Sequence, residues 1–170
     1  MKVTSYLIGF VVSVAIIVGA FLLHDQLAHF RSLGIVGIFL INLVGSATIF
    51  LPAPAIATVV GGGALYPPVL VACAAALGGA IGEMTGFLFG TSGQHLFVKK
   101  QSIAYKVFKN VFLQYGGLII VIIAFIPNPF FDVIGIGAGA LGYSPKRFFI
   151  YLFIGRLLRD LLLAYVGSKI

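Results

Sequence analysis

Apolar stretches follow one another along almost the whole chain, and only short polar or proline-rich breaks separate them. Hydrophobic residues make up 61% of the sequence and charged residues only 9%. A soluble protein needs a polar surface, and about 25% of its residues are usually charged. The pattern therefore predicts an integral membrane protein. It excludes a soluble enzyme, a nucleic-acid-binding module and a disordered chain.

The first apolar stretch, residues 6–23, is long enough to cross a membrane. It fits either a cleaved signal peptide that ends near Ala20 or an uncleaved helix. We favour the uncleaved helix because the rest of the chain is just as apolar. The predicted organisation is an N-terminal transmembrane helix with a polar loop over residues 1–32, followed by one membrane domain over residues 33–170.

Two apolar segments of the membrane domain are each broken by a pair of prolines, Pro52 and Pro54 in one and Pro127 and Pro129 in the other. Prolines remove backbone donors and stop a helix. The resulting arms are too short for a ~30 Å hydrocarbon core, which favours re-entrant hairpins. The predicted parts of the domain are a hairpin over 34–66, a transmembrane helix over 68–90, an interfacial amphipathic helix over 95–113, a hairpin over 115–142 and a transmembrane helix over 145–167.

The two halves of this domain resemble each other. Glu83 comes fifteen residues after Pro68, and Asp160 comes fifteen residues after Pro145. A unit of one hairpin and one crossing helix reverses the direction of the chain, so two successive units are inverted. The predicted fold class is all-α, with an inverted repeat of the kind found in transporters.

Lysine and arginine give the orientation. If the N-terminus is cytoplasmic, seven basic residues fall inside and only Arg31 and Lys169 fall outside, as the positive-inside rule requires. We therefore expect a multi-pass protein of the cell membrane with a cytoplasmic N-terminus.

Several polar residues lie in apolar surroundings and are the candidate site. Intramembrane charges cost free energy and usually face a cavity or a partner. Arg156 and Asp160 are four residues apart and can pair. Glu83 fits either a proton carrier or the counter-charge of an arginine. The predicted polar centre comprises Glu83, Asp132, Arg156, Arg159 and Asp160.

Other positions have structural or interfacial interpretations. Glycines spaced by four residues make a smooth stripe for helix packing. Lysines on one side of the amphipathic segment indicate contact with lipid headgroups. No cofactor is predicted, and no metal site. The glycines are Gly78, Gly82, Gly86 and Gly90; the lysines are Lys99, Lys106 and Lys109; the predicted hairpin tips are Pro52, Pro54, Pro127, Asn128 and Pro129.

The two proline tips, the Gly-Ala-Leu runs at 63–65 and 139–141, and the closing Phe-Ile-Gly-Arg-Leu-Leu-Arg resemble the DedA family, whose VTT domain also occurs in SNARE-associated Golgi protein-like proteins. The resemblance implies two opposed re-entrant hairpins and movement of lipids between leaflets. Positions that match the family are Pro127, Asp132, Gly139, Gly155, Arg156 and Arg159. Where many bacterial members carry acids in the first hairpin, this chain has Asn42 and Pro54.

Our functional hypothesis is a non-enzymatic flippase or scramblase for phospholipids or polyprenyl-phosphate lipids. Its partners are membrane lipids with anionic headgroups, with protons and a second copy of the chain as further partners that the sequence leaves open. One alternative is a proton-coupled exporter of small cations or solutes. Another is a non-transporting subunit for membrane assembly or envelope maintenance, docked through the glycine stripe.

Overall fold

The computed structural model describes residues 33–47, 52–97, 103–126 and 131–169, which contain helices and no strand. The predicted all-α class is therefore confirmed for these ranges. The helices are α1 Ile35–Ala47, α2 Pro52–Leu65, α3 Pro68–Phe97, α4 Ile103–Phe125, α5 Phe131–Ala140 and α6 Pro145–Gly167. The predicted N-terminal helix lies outside the described residues.

Proline and glycine mark the helix ends. Pro52 and Pro54 lie in the first turn of α2, where a missing N–H costs no helical hydrogen bond. Ser144 is the extended N-cap of α6, and Pro145 begins the helix. Gly142 ends α5 in the left-handed region at φ 75°, and the amide of Tyr143 then donates to the Ala138 carbonyl at 3.0 Å.

One predicted division is wrong. The amphipathic segment 95–113 is not a separate helix: its first residues belong to α3, which continues to Phe97, and residues 103–113 belong to α4. Helix α4 runs without a break from Ile103 to Phe125, through the predicted start of the second hairpin. The physical reason is that no proline interrupts this stretch. Gly116 and Gly117 weaken a helix but do not stop it.

Within each half, the first arm packs alongside the long helix that follows. A side chain at Gly78 would overlap the Phe39 carbonyl of α1, and one at Gly82 would overlap the Leu43 carbonyl. These successive contacts show that α1 and α3 run parallel. In the second half, Gly117 contacts the Tyr151 ring and Gly155 contacts Val121, so α4 and α6 are also parallel.

The second arm of each hairpin packs against the long helix of the other half. Helix α2 crosses α6, where Gly63 lies against Ala164 and Gly167 lies against Val60. Helix α5 meets α3, where Gly139 lies against Phe87 and Gly90 lies against Ile136. Counted from Pro68 and Pro145, Phe87 corresponds to Ala164 and Gly90 to Gly167. The two crossings are thus made by corresponding residues.

The long helices α3 and α6 contact each other and run antiparallel. The rings of Phe87 and Phe148 stack with centroids 4.7 Å apart. Two turns earlier on α3, Gly79 lies against Arg156, which is two turns later on α6. This antiparallel pair is the centre on which α1, α2, α4 and α5 pack.

One face of α6 is an exposed apolar stripe. Ile150, Ile154, Leu158 and Leu162 follow each other at every fourth position of α6, and all four are exposed. Exposed apolar stripes of this length are typical of a surface in contact with lipid or another protein. Within the described residues, Pro68–Gly93 of α3 is long and apolar enough to cross a membrane. Helix α6 is about 35 Å long, but three charged residues lie near its middle.

Candidate functional site

The charged side chains near the middle of α6 lie on its buried side, and a residue of α3 joins them. The guanidinium of Arg156, which is 3% exposed, covers Gly79, where any side chain would overlap it. Its Nη1 donates to Oε1 of Glu83, also on α3. Both residues lie near the midpoints of their helices. The charge cluster, as we call Glu83, Arg156, Arg159 and Asp160, therefore begins at the α3–α6 crossing.

Arg159 and Asp160 complete the charge cluster. Nε and Nη2 of Arg159 each lie 2.9 Å from Oδ1 of Asp160, whose side chain is fully buried. Arg159 follows Arg156 by three residues, so the two ion pairs lie within about one turn of α6 and we treat the four groups as one electrostatic unit. Two arginines stand against two carboxylates, so the formal charge of the unit is zero.

Each carboxylate of the charge cluster has one oxygen that makes no hydrogen bond within the described residues. Oε2 of Glu83 and Oδ2 of Asp160 are buried and have no hydrogen-bond partner among the described residues. Buried polar atoms are normally bonded, because an unpaired one costs roughly 1–3 kcal/mol. The site therefore has unused acceptor capacity next to two guanidinium groups.

The pairing differs from the one predicted from spacing alone. Arg156 pairs with Glu83 on another helix, while Asp160 is held by its neighbour Arg159. The contact with Arg156 is the one that the counter-charge interpretation of Glu83 requires. Asp132 lies in the first turn of α5. One turn later, a Cβ at Gly135 would lie 3.6 Å from the Phe148 ring and 4.0 Å from the backbone carbonyl oxygen of Glu83, so this part of α5 packs on α3 and α6.

A second polar contact, absent from the predicted centre, joins the arms of the first hairpin. Asn42 on α1 is fully buried, and its Nδ2 donates to the Ile38 carbonyl at 2.9 Å and to Thr58 Oγ1 at 3.3 Å. Its Oδ1 has no partner within the described residues. The sequence does contain a signal for this contact, because Asn42 is a polar amide within an otherwise apolar run of α1.

Two cavities lie between the arms of the two hairpins. The first, about 350 Å³, is lined by α1 and α2, and Thr58 and Gly61 are on its wall. The second, about 290 Å³, is lined by α4 and α5, and Ile134 and Gly137 are on its wall. Counted back from the two Gly-Ala-Leu runs, Gly61 and Gly137 are corresponding residues. Corresponding residues of the two helix pairs thus line the two cavities.

The other predicted positions are spread around this centre. Along the glycine stripe, Gly78 and Gly82 face α1, while Gly90 faces α5 and Gly86 is partly buried on the same helix. The structure therefore divides the stripe between two partner helices. Lys106 and Lys109 both lie on α4. Lys99 and the second tip, Pro127, Asn128 and Pro129, lie outside the described residues. Across the described ranges, no group of three or more His, Cys, Asp or Glu could hold a metal ion.

Comparison with known proteins identifies the family. The VTT domain matches residues 51–169, which include α2 to α6 and the whole charge cluster. No curated protein and no solved structure matches the chain significantly. The matched range covers well over half of the sequence. The chain is therefore a member of the VTT domain family, the DedA and SNARE-associated Golgi protein-like family of membrane proteins.

Proposed function

We propose that this protein moves phosphate-bearing lipids between membrane leaflets and leaves them chemically unchanged. The observation that carries the proposal is the charge cluster, with Arg156 and Asp160 buried beneath an α6 that exposes an apolar stripe from Ile150 to Leu162. A guanidinium fork matches phosphate oxygens, and a headgroup needs such partners to replace water at membrane depth. Membership of the VTT domain family supports this proposal.

The proposed architecture has two re-entrant hairpins in opposite orientations and a cytoplasmic N-terminus in the cell membrane. Corresponding contacts in the two halves support the inverted repeat, as does the antiparallel arrangement of α3 and α6. In such an arrangement each hairpin opens toward a different leaflet, and the charge cluster lies between them. A headgroup would pass the cluster while its acyl chains stay beside the apolar outer face.

A leaflet-exchange assay tests the proposal. Purified protein is placed in liposomes with a trace of fluorescent phospholipid, and an impermeant quencher measures the fraction that changes leaflet. We expect wild type to accelerate exchange and the double variant Arg156→Gln, Arg159→Gln to lose most of it. The matched control is Lys146→Gln, Arg147→Gln, which removes two exposed charges from the first turn of the same helix.

Equal exchange by wild type and the Arg156→Gln, Arg159→Gln variant would overturn the role of the charge cluster. If neither protein exceeded empty liposomes, the lipid proposal would fail. A proton-driven solute flux that is lost in Glu83→Gln would then favour an exporter.

A further inference from the structure

Arg156 stands where the two halves of the molecule meet. Counted from Pro145, its position corresponds to that of Gly79 counted from Pro68, and these two residues contact each other. A contact between corresponding residues lies on the axis that relates the halves. One half therefore supplies the arginine, and the other supplies the glycine that makes room for it.

The two carboxylates of the charge cluster are corresponding residues as well. Glu83 and Asp160 occupy the same place in the two halves. Arg156 bonds to Glu83 across the helix crossing, and Asp160 is four residues later on the same helix as Arg156, which is the spacing of an i, i+4 pair. The buried Oδ2 of Asp160 has no partner among the described residues and is ready to accept a hydrogen bond.

We propose that Arg156 alternates between Glu83 and Asp160, and that Asp160 is the positioning residue for a second state in which the two halves have exchanged their conformations. The inference rests on the proposed inverted repeat, and it deepens the proposed function by naming the group that changes partner during transport. Because two arginines face two carboxylates, the exchange leaves the charge of the cluster at zero. The guanidinium lies directly against Gly79, where a side chain would overlap it, so the missing side chain is what admits Arg156 to this crossing.

The accessibility of the two hairpin cavities should change when Arg156 changes its partner, and this change can be measured. Gly61 lines the first cavity and Gly137 the second, and a side chain added at either position has no atom within 4 Å. Cysteines placed singly at these positions, in a chain with Cys73→Ser, are matched probes for maleimide labelling. In the exchanged state each probe acquires the surroundings of the other, so the ratio of their labelling rates changes.

We expect Glu83→Gln to shift this ratio by at least about fivefold, the lower range of energetic coupling between sites. Adding Asp160→Asn should reverse the shift, because Arg156 then has no carboxylate to pair with in the second state. If Asp160 were only structural, its loss would add to the effect of Glu83→Gln. A larger shift in the double variant, or no shift in Glu83→Gln, would overturn the proposal.

The same probes in an Arg156→Gln chain test the exchange without the Glu83→Gln, Asp160→Asn variant, so the result does not depend on how well that variant folds. In Arg156→Gln, which removes the alternating group, Glu83→Gln should leave the labelling ratio unchanged. A full shift in that background would contradict the exchange. Labelling needs no lipid movement, so a negative leaflet-exchange assay would reject the proposed function and leave this result to stand by itself.

Discussion

At the scale of single residues, the charge cluster is held by burial as much as by charge. Arg156 is 3% exposed and Asp160 is fully buried. Removing water from two ions costs several kcal/mol each, and the pair recovers this only if both members are present. Glu83 and Arg156 therefore depend on each other, although they are 73 residues apart in the chain.

Single substitutions in this pair should destabilise the protein more than the double substitution. Arg156→Met alone leaves the buried Glu83 carboxylate without its partner, which typically costs about 3–5 kcal/mol, and Glu83→Gln alone removes the partner that Arg156 has in this structure. The double variant removes both charges, so its midpoint of thermal unfolding in detergent should lie above that of either single variant. An additive loss would show that the pair is not coupled.

At the scale of helices, backbone carbonyls of one helix lie where glycines of another leave space. Gly90 and Gly167 are corresponding residues, each beneath a carbonyl of a hairpin arm. Close contact between backbones is a common way to join helices in a membrane, where hydrophobic burial gives little driving force.

Alanine at these crossings should lower stability, whereas alanine at open positions should not. Gly90→Ala and Gly167→Ala place a methyl group against the carbonyls of Ile136 and Val60, and we expect a cost of about 1–3 kcal/mol. Gly61→Ala and Gly137→Ala meet no neighbouring atom and improve helix propensity, so they should be neutral or stabilising by up to ~1 kcal/mol. Thermal unfolding midpoints of the four variants check both expectations. Equal losses at all four positions would contradict the packing described above.

The sequence predicts helix ends better than helix partners. Pro52 and Pro145 mark helix starts because proline lacks an amide proton, which is a local property. The partner of Arg156 could not be chosen locally, since Asp160 and Glu83 both satisfy its charge. Only the packing of α3 against α6 brings Glu83 to Arg156. The sequence predicts a break near residue 114, where basic residues give way to apolar ones. Such a change alters the surroundings of a helix without ending it, so α4 is continuous.

At the scale of the whole molecule, the charge cluster lies inside and apolar side chains lie on the surface, which is the reverse of the arrangement in a soluble protein. The charge cluster is internal, and the apolar side chains along α6 point outward. Lys146 and Arg147 lie exposed at the start of α6, and the proposed orientation puts them on the cytoplasmic side.

The two ends of α6 should be accessible from opposite sides of the membrane. Ser144 and Ser168 flank the helix and both are exposed. In a chain with Cys73→Ser, an impermeant maleimide applied to right-side-out vesicles should label Ser168→Cys and should spare Ser144→Cys until the membrane is opened. Labelling of both positions from one side would show that α6 does not cross.

The most direct test of lipid movement through the charge cluster compares two headgroups on identical acyl chains. A fluorescent phospholipid and a fluorescent glycosyl diacylglycerol differ in the phosphate that Arg156 and Arg159 are proposed to bind. In liposomes containing wild type, we expect faster leaflet exchange of the phospholipid than of the glycolipid, and loss of that difference in the Arg156→Gln, Arg159→Gln variant. Equal acceleration of both lipids by wild type would contradict phosphate recognition by the cluster.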